Sequence, residues 1–441
     1  MSSVVEQGEG RIERYLEAFE SGVGRPAAPA WLDARRRQAI DHFASLGFPT
    51  THDEEYRFTN VAAIASTPFE RPEAERVEVS AIADHLYGEE TAAELVFING
   101  RFTESLSSLD RLPRGAMVTS LAHALRTSPG DVESLATVAS TDTSAFSALN
   151  TALFEDGAVI RLGRNVIVEQ PINLVFVTTG GTTPTVSYPR VLVIAGEQSE
   201  CRVIESHVGL GDGRHFSCAV TELVCGPNSR VDHDRVQWER PEGYHYCRLQ
   251  IRAERSATVA SHAFSFGGAI VRNDLGAVLA GPGVDCTLNG LYMADDRTLV
   301  DNHTTIDHAE PHCGSHEVYK GILGGRARGV FNGKIIVRED AQKTDAKQTN
   351  KALLLSDTAQ FNTKPQLEIF ADDVKCTHGA TVGQLDAEAL FYLQARGIGR
   401  DVARTLLIRG FAGDIVNRVK FEPLRERLDG WLISEMPGSV A

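Results

Sequence analysis

From Glu94 to Gly383 the chain is a near-unbroken series of short β-branched runs. ELVFING, AVIRL, NVIVEQ, INLVFV and RVLVIAG come first, separated by Gly, Asn or Pro. Runs this short and this regularly punctuated read as strands. Phe146–Phe154 (FSALNTALF) is the best helical exception. Roughly 300 residues of strand are awkward for a single sandwich, which directs attention to repeats. Phe331-Asn332-Gly333-Lys334 recurs as Phe361-Asn362-Thr363-Lys364, an offset of 361 − 331 = 30, and each copy leads into an apolar strand. NSRVDHDRV, SATVASHAF and VDCTLNGLYM are weaker echoes, each a small or polar residue entering a short alternating strand. A parallel β-helix explains the pattern, because one coil cannot bury its apolar side alone and stacking neighbours creates a continuous core. A large two-sheet sandwich is the alternative.

Helical periodicity flanks this region. Arg11–Glu20 reads as a short charged helix. After the PAAPA linker, Trp31, Leu32, Ile40, Phe43 and Leu46 recur at helical spacing until Gly47. Pro49 opens a turn into EEYRFTNVAAI. Beyond Gly383, Asp386 caps a helix carrying Leu390 and Leu393, which Gly397 ends. Asp401 is expected to cap the next, whose stripe is Val402, Leu406, Leu407, Phe411 and Ile415. Phe421, Leu424, Leu428, Trp431 and Leu432 continue it. The expected division is therefore residues 1–90 helical, 91–383 β-helix and 384–441 helical. So apolar a terminal segment must cover something: the open end of the β-region, a partner, or both.

Composition removes several classes. With 42% hydrophobic residues the chain can bury a core, and a net charge of −15 argues against nucleic acid or an anionic membrane as the main partner. MSSVVEQGEG lacks the basic start and apolar stretch of a signal peptide, and no apolar run approaches the ~18 residues that span a bilayer. The expectation is a soluble, cytoplasmic protein. Its seven cysteines (Cys201, Cys218, Cys225, Cys247, Cys286, Cys313 and Cys376) contain no CxxC pair and read as reduced thiols. There is no P-loop, HExxH, GxSxG or strand-linked GxGxxG, so an ATP-driven step would need a separate subunit.

Two clusters contain metal-ligating residue types. DNHTTIDHAEPHCGSHE holds His303, His308, His312, Cys313 and His316 with Asp301, Asp307 and Glu310, at spacings that match no standard site. It reads first as hydrogen-bonded structural histidines and surface groups. The second cluster is DDVKCTHG. On a strand, Cys376 and His378 share a face with Val374, so they point toward the apolar side. They are either metal or cluster ligands, the imidazole favouring the thiolate, or a semi-buried cysteine with a satisfied histidine. Asp372 and Asp373 would point oppositely on a strand, and a change of phase between Ile369 and Val374 puts them in a turn. Parallel β-helices also host carbohydrate enzymes built on carboxylates, but 3 Trp and 9 Tyr are few for stacking sugars.

The stretch Tyr319–Gly383, YKGILGGRARGVFNGKIIVREDAQKTDAKQTNKALLLSDTAQFNTKPQLEIFADDVKCTHGATVG, followed by QLDAEALFYLQARGI, closely resembles the SufB/SufD family of iron–sulfur cluster assembly proteins. EEYRFTN at Glu54–Asn60 is similar to the EEW(R/K)YT-type signature of the SufD branch, with Tyr56 and Phe58 in place of the commoner Trp and Tyr. The resemblance runs from about residue 45 to 425. Cys376-Thr-His378 continuing into GATVGQLD, and the absence of a cysteine-rich amino-terminal segment, favour SufD over SufB.

That resemblance implies a right-handed parallel β-helix flanked by helical regions, acting as a non-catalytic scaffold. It implies a SufB-like paralogue as partner and a SufC-like ABC ATPase docked on the carboxy-terminal helices at Leu390, Leu393, Leu406, Leu407 and Phe411. A cysteine desulfurase system would supply sulfur indirectly. His378 and Cys376 match the family's Cys-x-His, which implies candidate ligands for iron or a nascent cluster at the SufB interface. No cofactor is expected to be tightly bound to the isolated chain. A SufB-like or self-pairing scaffold holding a cluster alone is the nearest rival.

Overall fold

In the computed structural model, which describes residues 2–23 and 27–434, the chain is mainly β. Pro26 of the PAAPA linker and residues 435–441 of the terminal region lie outside the described residues. Two ten-stranded sheets face each other, and from Arg190–Ala195 onward successive strands alternate between them. One sheet, here the first, starts at Ala93–Ile98 and ends at Lys375–Gln384. The second runs from Ala116–Ser120 to Gln360–Ile369. Apart from short antiparallel strands at the amino-terminal end, the pairing is parallel. This is the expected parallel β-helix, of about eight turns.

The sequence echoes are stacked coils. Arg230, Thr258 and Asp285 stand in register, as do Val231, Val259 and Cys286. The Phe-Asn repeat behaves differently: Gly329, not Phe331, lies against Phe361. The offset of 30 is thus two residues short of the structural register, in which Phe331 opposes Thr363. The slip is even, so it preserves the pleat and both phenylalanines keep the same face.

Each coil turns at one residue in the left-handed region. Asn165, Gln198, Asn228, Ser256, Gly283, His312 and Lys343 occupy this corner in successive coils, with φ between 55° and 73°. Backbone hydrogen bonds link one corner to the next coil, as from Asn228 N to Arg255 O at 2.9 Å. Between corners alternate side chains fill the interior. Gly290 lies beside Tyr319, and Gly321 beside Tyr292, because a Cβ on either glycine would meet the neighbouring ring at 2.2–2.4 Å.

Helices cover the outer faces. α1 (Ser2–Ser21), α2 (Ala30–Leu46) and the short α3 (Ala62–Ser66) precede the strands, with Gly47 closing α2 at φ +64°. α4 (Leu121–Thr127) and α5 (Ala145–Leu153) are inserted among the early strands; α5 is the expected exception and α4 an unexpected one. Tyr15, Phe19, Ile40 and Phe43 pack against Ala148, Leu149 and Ala152 of α5.

At the other end come α6 (Ala387–Ala395), α7 (Arg400–Val416) and α8 (Glu422–Ser434). Asp386 caps α6 as expected, accepting from the amides of Glu388 and Ala389. Asp401 does not cap α7: Gly399 holds that position and Asp401 falls in the first turn.

Nor do these helices close the open end of the β-helix. Ile408, Ile415, Leu424, Leu428 and Leu432 lie on the outer face of the first sheet, against Ile204, Val236, Phe264, Leu291 and Ile322. That outward apolar patch extends over five coils, although in register Val236, Phe264 and Leu291 stand between Ser206 and Lys320, and helices lying across the sheet cover it. The Lys320 ammonium pins α7 there, donating to Phe411 O at 2.8 Å and Asp414 Oδ2 at 2.6 Å.

Candidate functional site

With the helices on a sheet face, the last coil is left bare. Gln360–Ile369 and Lys375–Gln384 are the terminal strands of their sheets, each paired on one side only. An unpaired edge of this length presents a row of free N–H and C=O groups. Ile369, Phe370 and Val382 are exposed beside it, Phe370 to 64%.

Cys376 and His378 sit on this last strand and share one face, as the alternation requires. Register places Cys376 over Ala346, Ser315 and Cys286, and His378 over Gln348 and Glu317. Both columns are interior ones. Cys376 is half-buried against the cluster of Ile335, Val337, Ala341 and Ala346, whereas His378, with no coil above it, is exposed.

The thiolate expectation is corrected. Burial pushes the Cys376 thiol up and Asp345 adds to it, and His378 is not among the groups acting on it. Cys376 is therefore a protonated thiol at neutral pH. Asp372 and Asp373 lie in the expected turn, where Asp373 pairs with Lys343.

Beneath His378 the column is polar. Gln348 is buried and donates from Nε2 to Glu317 Oε2 at 2.8 Å. Burial pushes the Glu317 carboxyl up to about 7, opposed by the nearby Thr304 hydroxyl and by the hydrogen bond from Gln348. Since adjacent strands lie ~4.8 Å apart, this carboxyl is two strands inside the open end. It is ionisable near neutrality with no cation paired to it.

The His303–His316 cluster does not assemble, and among the described residues no group of three or more His, Cys, Asp or Glu is arranged to hold a metal ion. His308 points inward, hydrogen-bonded to Ser315 Oγ at 2.9 Å, and burial pushes it down to about 4. Cys313 is interior and His312 is a corner residue. His303 faces outward between Asp301 Oδ1 and Glu55 Oε2, both at 3.1 Å. Burial is the largest influence and opposes its charge, but Asp301 and Glu55 together outweigh it and hold the imidazole above its usual range.

The carboxy-terminal surface divides differently from the expected stripe. Leu390, Leu393, Leu407 and Phe411 are half-buried, and Leu406 is exposed. The larger exposed side chains are Phe391 (72%), Tyr392 and Val402. Phe391 and Tyr392 line a shallow hollow together with Leu393 and Leu407. The signal for them was in the sequence: Ala389-Leu390-Phe391-Tyr392-Leu393 is apolar around the whole of α6, and one neighbour can cover only one side.

Two family models cover the chain almost end to end. One, described as the SufBD protein N-terminal region, matches residues 13–174. The other, the SUF system FeS cluster assembly SufBD core domain, matches 176–411.

The chain belongs to the SufBD family.

The junction between the two models, at 174–176, lies inside the strand Ile172–Thr179, beyond α5. An iron-sulfur cluster assembly SufBD family protein of Synechocystis is 31% identical over 426 residues, which cover 95% of this chain and 94% of the relative. The iron-sulfur cluster assembly protein SufD of Escherichia coli is 30% identical, covering 92% and 94%, and that of Bacillus subtilis 26%, covering 94% and 96%. The SufBD core model thus includes the bare coil, α6 and most of α7. Among the described residues no helix is long and apolar enough to cross a membrane.

Proposed function

We propose that this chain is a SufD-type, non-catalytic scaffold subunit of an iron–sulfur cluster assembly complex in the cytoplasm. The observation that carries the reading is the bare last coil. A parallel β-helix with one uncovered end offers two strands for pairing with a second β-helix, and a SufB-like paralogue is the partner of matching architecture. His378 and Cys376 then lie at the junction. The imidazole offers a nitrogen ligand to iron or a nascent cluster, and the protonated Cys376 acts beside it until metal or a partner's charge draws off its proton. Iron and sulfide are the cargo of this site; sulfur arrives through the paralogue from a desulfurase system.

The apolar surface at Phe391, Tyr392, Val402 and Leu406 takes the SufC-like ATPase. It is continuous with α7, which Lys320 ties to the first sheet, so a movement of the ATPase is transmitted toward the coils that end at His378.

Co-expression with the SufB- and SufC-like proteins of the same organism, purified anaerobically, tests the reading. A stable mixed complex that gains cluster absorbance only when this chain is present supports it. Elution of the chain by itself or as a pair of identical copies refutes the partner assignment. A His378→Ala variant is expected to assemble normally and mature clusters poorly; normal maturation would sink the ligand role.

A further inference from the structure

The segment Glu54–Asn60 is bound to the outer face of the second sheet by a buried network. Asp301 accepts from Arg272 and from the Thr59 hydroxyl, Arg272 also donates to Asp274 Oδ1 at 2.6 Å, and its guanidinium lies 4.4 Å from the Tyr56 ring centre. Glu55 reaches His303 and Asn332, both at 3.1 Å, and Glu54 pairs with Lys364 at 2.5 Å. Both acidic residues and the half-buried Tyr56 of this segment thus face the sheet. Arg57, Phe58 and Asn60 are left outside, Phe58 43% exposed.

They overhang a groove of about 700 Å³ at the row of turns that enters the last coils. Arg297, Arg326 and Arg328 line it with Arg57, and Asn60 and Asn362 supply amide groups. No carboxylate lines the groove. None of the four arginines is ion-paired among the described residues, and the Arg57 guanidinium lies 5.8 Å from the Phe58 ring centre. In the adjoining hollow, Asp295 and Asp296 border Arg297 and Arg326 without pairing to them; Asp295 Oδ1 instead accepts from the Asp296 amide at 2.8 Å.

Four guanidinium groups that line one groove and form no ion pair among the described residues repel one another, even on a chain of net charge −15. We propose that the groove is a binding site for a phosphate-bearing small molecule. Planar guanidinium forks match phosphate oxygens two at a time, which ammonium groups do not. The volume is that of a small-ligand site. Phe58 supplies an apolar face for the part of the ligand beyond its phosphates. The chain's overall negative charge disfavours a long polyanion, whose remaining phosphates would meet acidic surface. Asn362 belongs to the terminal strand Gln360–Ile369, so the groove borders the bare coil, but the proposal rests on the arginines and on no partner assignment.

Calorimetric titration of the full chain with inorganic pyrophosphate and with ADP, at low ionic strength, tests it. Pyrophosphate is expected to bind, and ADP to bind at least as well through Phe58. Arg297→Gln and Arg326→Gln are each expected to weaken pyrophosphate about tenfold, the cost of one charge-assisted contact. Phe58→Ala should affect ADP only. Arg230→Gln, at an exposed arginine outside the groove, should change neither ligand. All of these side chains are exposed, so unchanged circular dichroism spectra establish that the variants fold. Equal binding by wild type and the Arg297→Gln/Arg326→Gln double variant would overturn the proposal. So would the absence of heat up to ~10 mM ligand, a Kd too weak for a built site. Binding of an acidic polyglutamate peptide that pyrophosphate does not displace would also overturn it, and would give the groove to a protein partner.

Discussion

Glu317 gives the most direct test of how the interior was read. It is 1% exposed, hydrogen-bonded to Gln348, and pushed by burial from the usual 4.5 to about 7. Because the fold favours its neutral form, the native state holds a proton that the unfolded chain releases near pH 4.5. This group therefore costs nothing well below pH 4.5, and its cost grows as pH rises to about 7 and is constant above it. At ~1.4 kcal/mol per pH unit, the interval corresponds to a full cost of about 3 kcal/mol. Glu317→Gln keeps the shape and an acceptor for Gln348 while removing the ionisation. The measurement is the urea midpoint and slope of both proteins at pH 5, 6.5 and 8, taken as wild type minus variant so that other titrations cancel. Wild type is expected to lose about 2–3 kcal/mol relative to Glu317→Gln between pH 5 and 8. A difference that does not change with pH, or one that moves in wild type's favour, would refute the assignment of a neutral buried carboxyl beneath His378.

Three further outcomes follow from the same geometry. Gly290→Ala places a methyl 2.2 Å from the Tyr319 ring and should cost ~1–3 kcal/mol in thermal or urea unfolding, whereas Gly379→Ala, with nothing within 4 Å of its Cβ, should be near neutral. Cys376 is the one cysteine of seven not fully buried, so mass spectrometry after brief alkylation should find it labelled first, slowly at pH 7 and faster as pH rises past 9, because burial and Asp345 hold its thiol up. Phe391→Ser with Tyr392→Ser should leave the melting temperature unchanged, since both side chains are exposed, yet weaken binding of the SufC-like ATPase by tenfold or more in pull-down titrations.

Strand periodicity and the coil echoes carried most of the fold. Short β-branched runs alternate because one face of every strand enters the interior, and that alternation is written in the residues themselves. The echoes at Arg230, Thr258 and Asp285 marked coils that do stack in register. The Phe331/Phe361 repeat marked the right coils with the register wrong by two, because the turn between them, not the motif, sets the offset. Helix ends at Gly47, Asp386 and Gly397 were legible because caps act within one turn of chain. Asp401 misled because an acidic residue suits the first turn of a helix as well as its cap.

The candidate site was legible as far as its residues. That Cys376 and His378 share a face follows from their spacing; that this face ends uncovered does not. The helices α7 and α8 could have closed the open end. They cover the first sheet instead, because Ile204, Val236, Phe264, Leu291 and Ile322, far apart in sequence, come together into one outward apolar patch only after the coils stack. The same stacking makes a corner residue of His312 and an interior one of His308, and it brings Arg57 beside arginines some 240 to 270 positions away (297 − 57 = 240; 328 − 57 = 271). Sequence determined which residues alternate, where helices start and stop, and which family the chain joins. Tertiary structure alone decided which groups meet, because residues in neighbouring coils are separated by a turn whose length no local rule fixes.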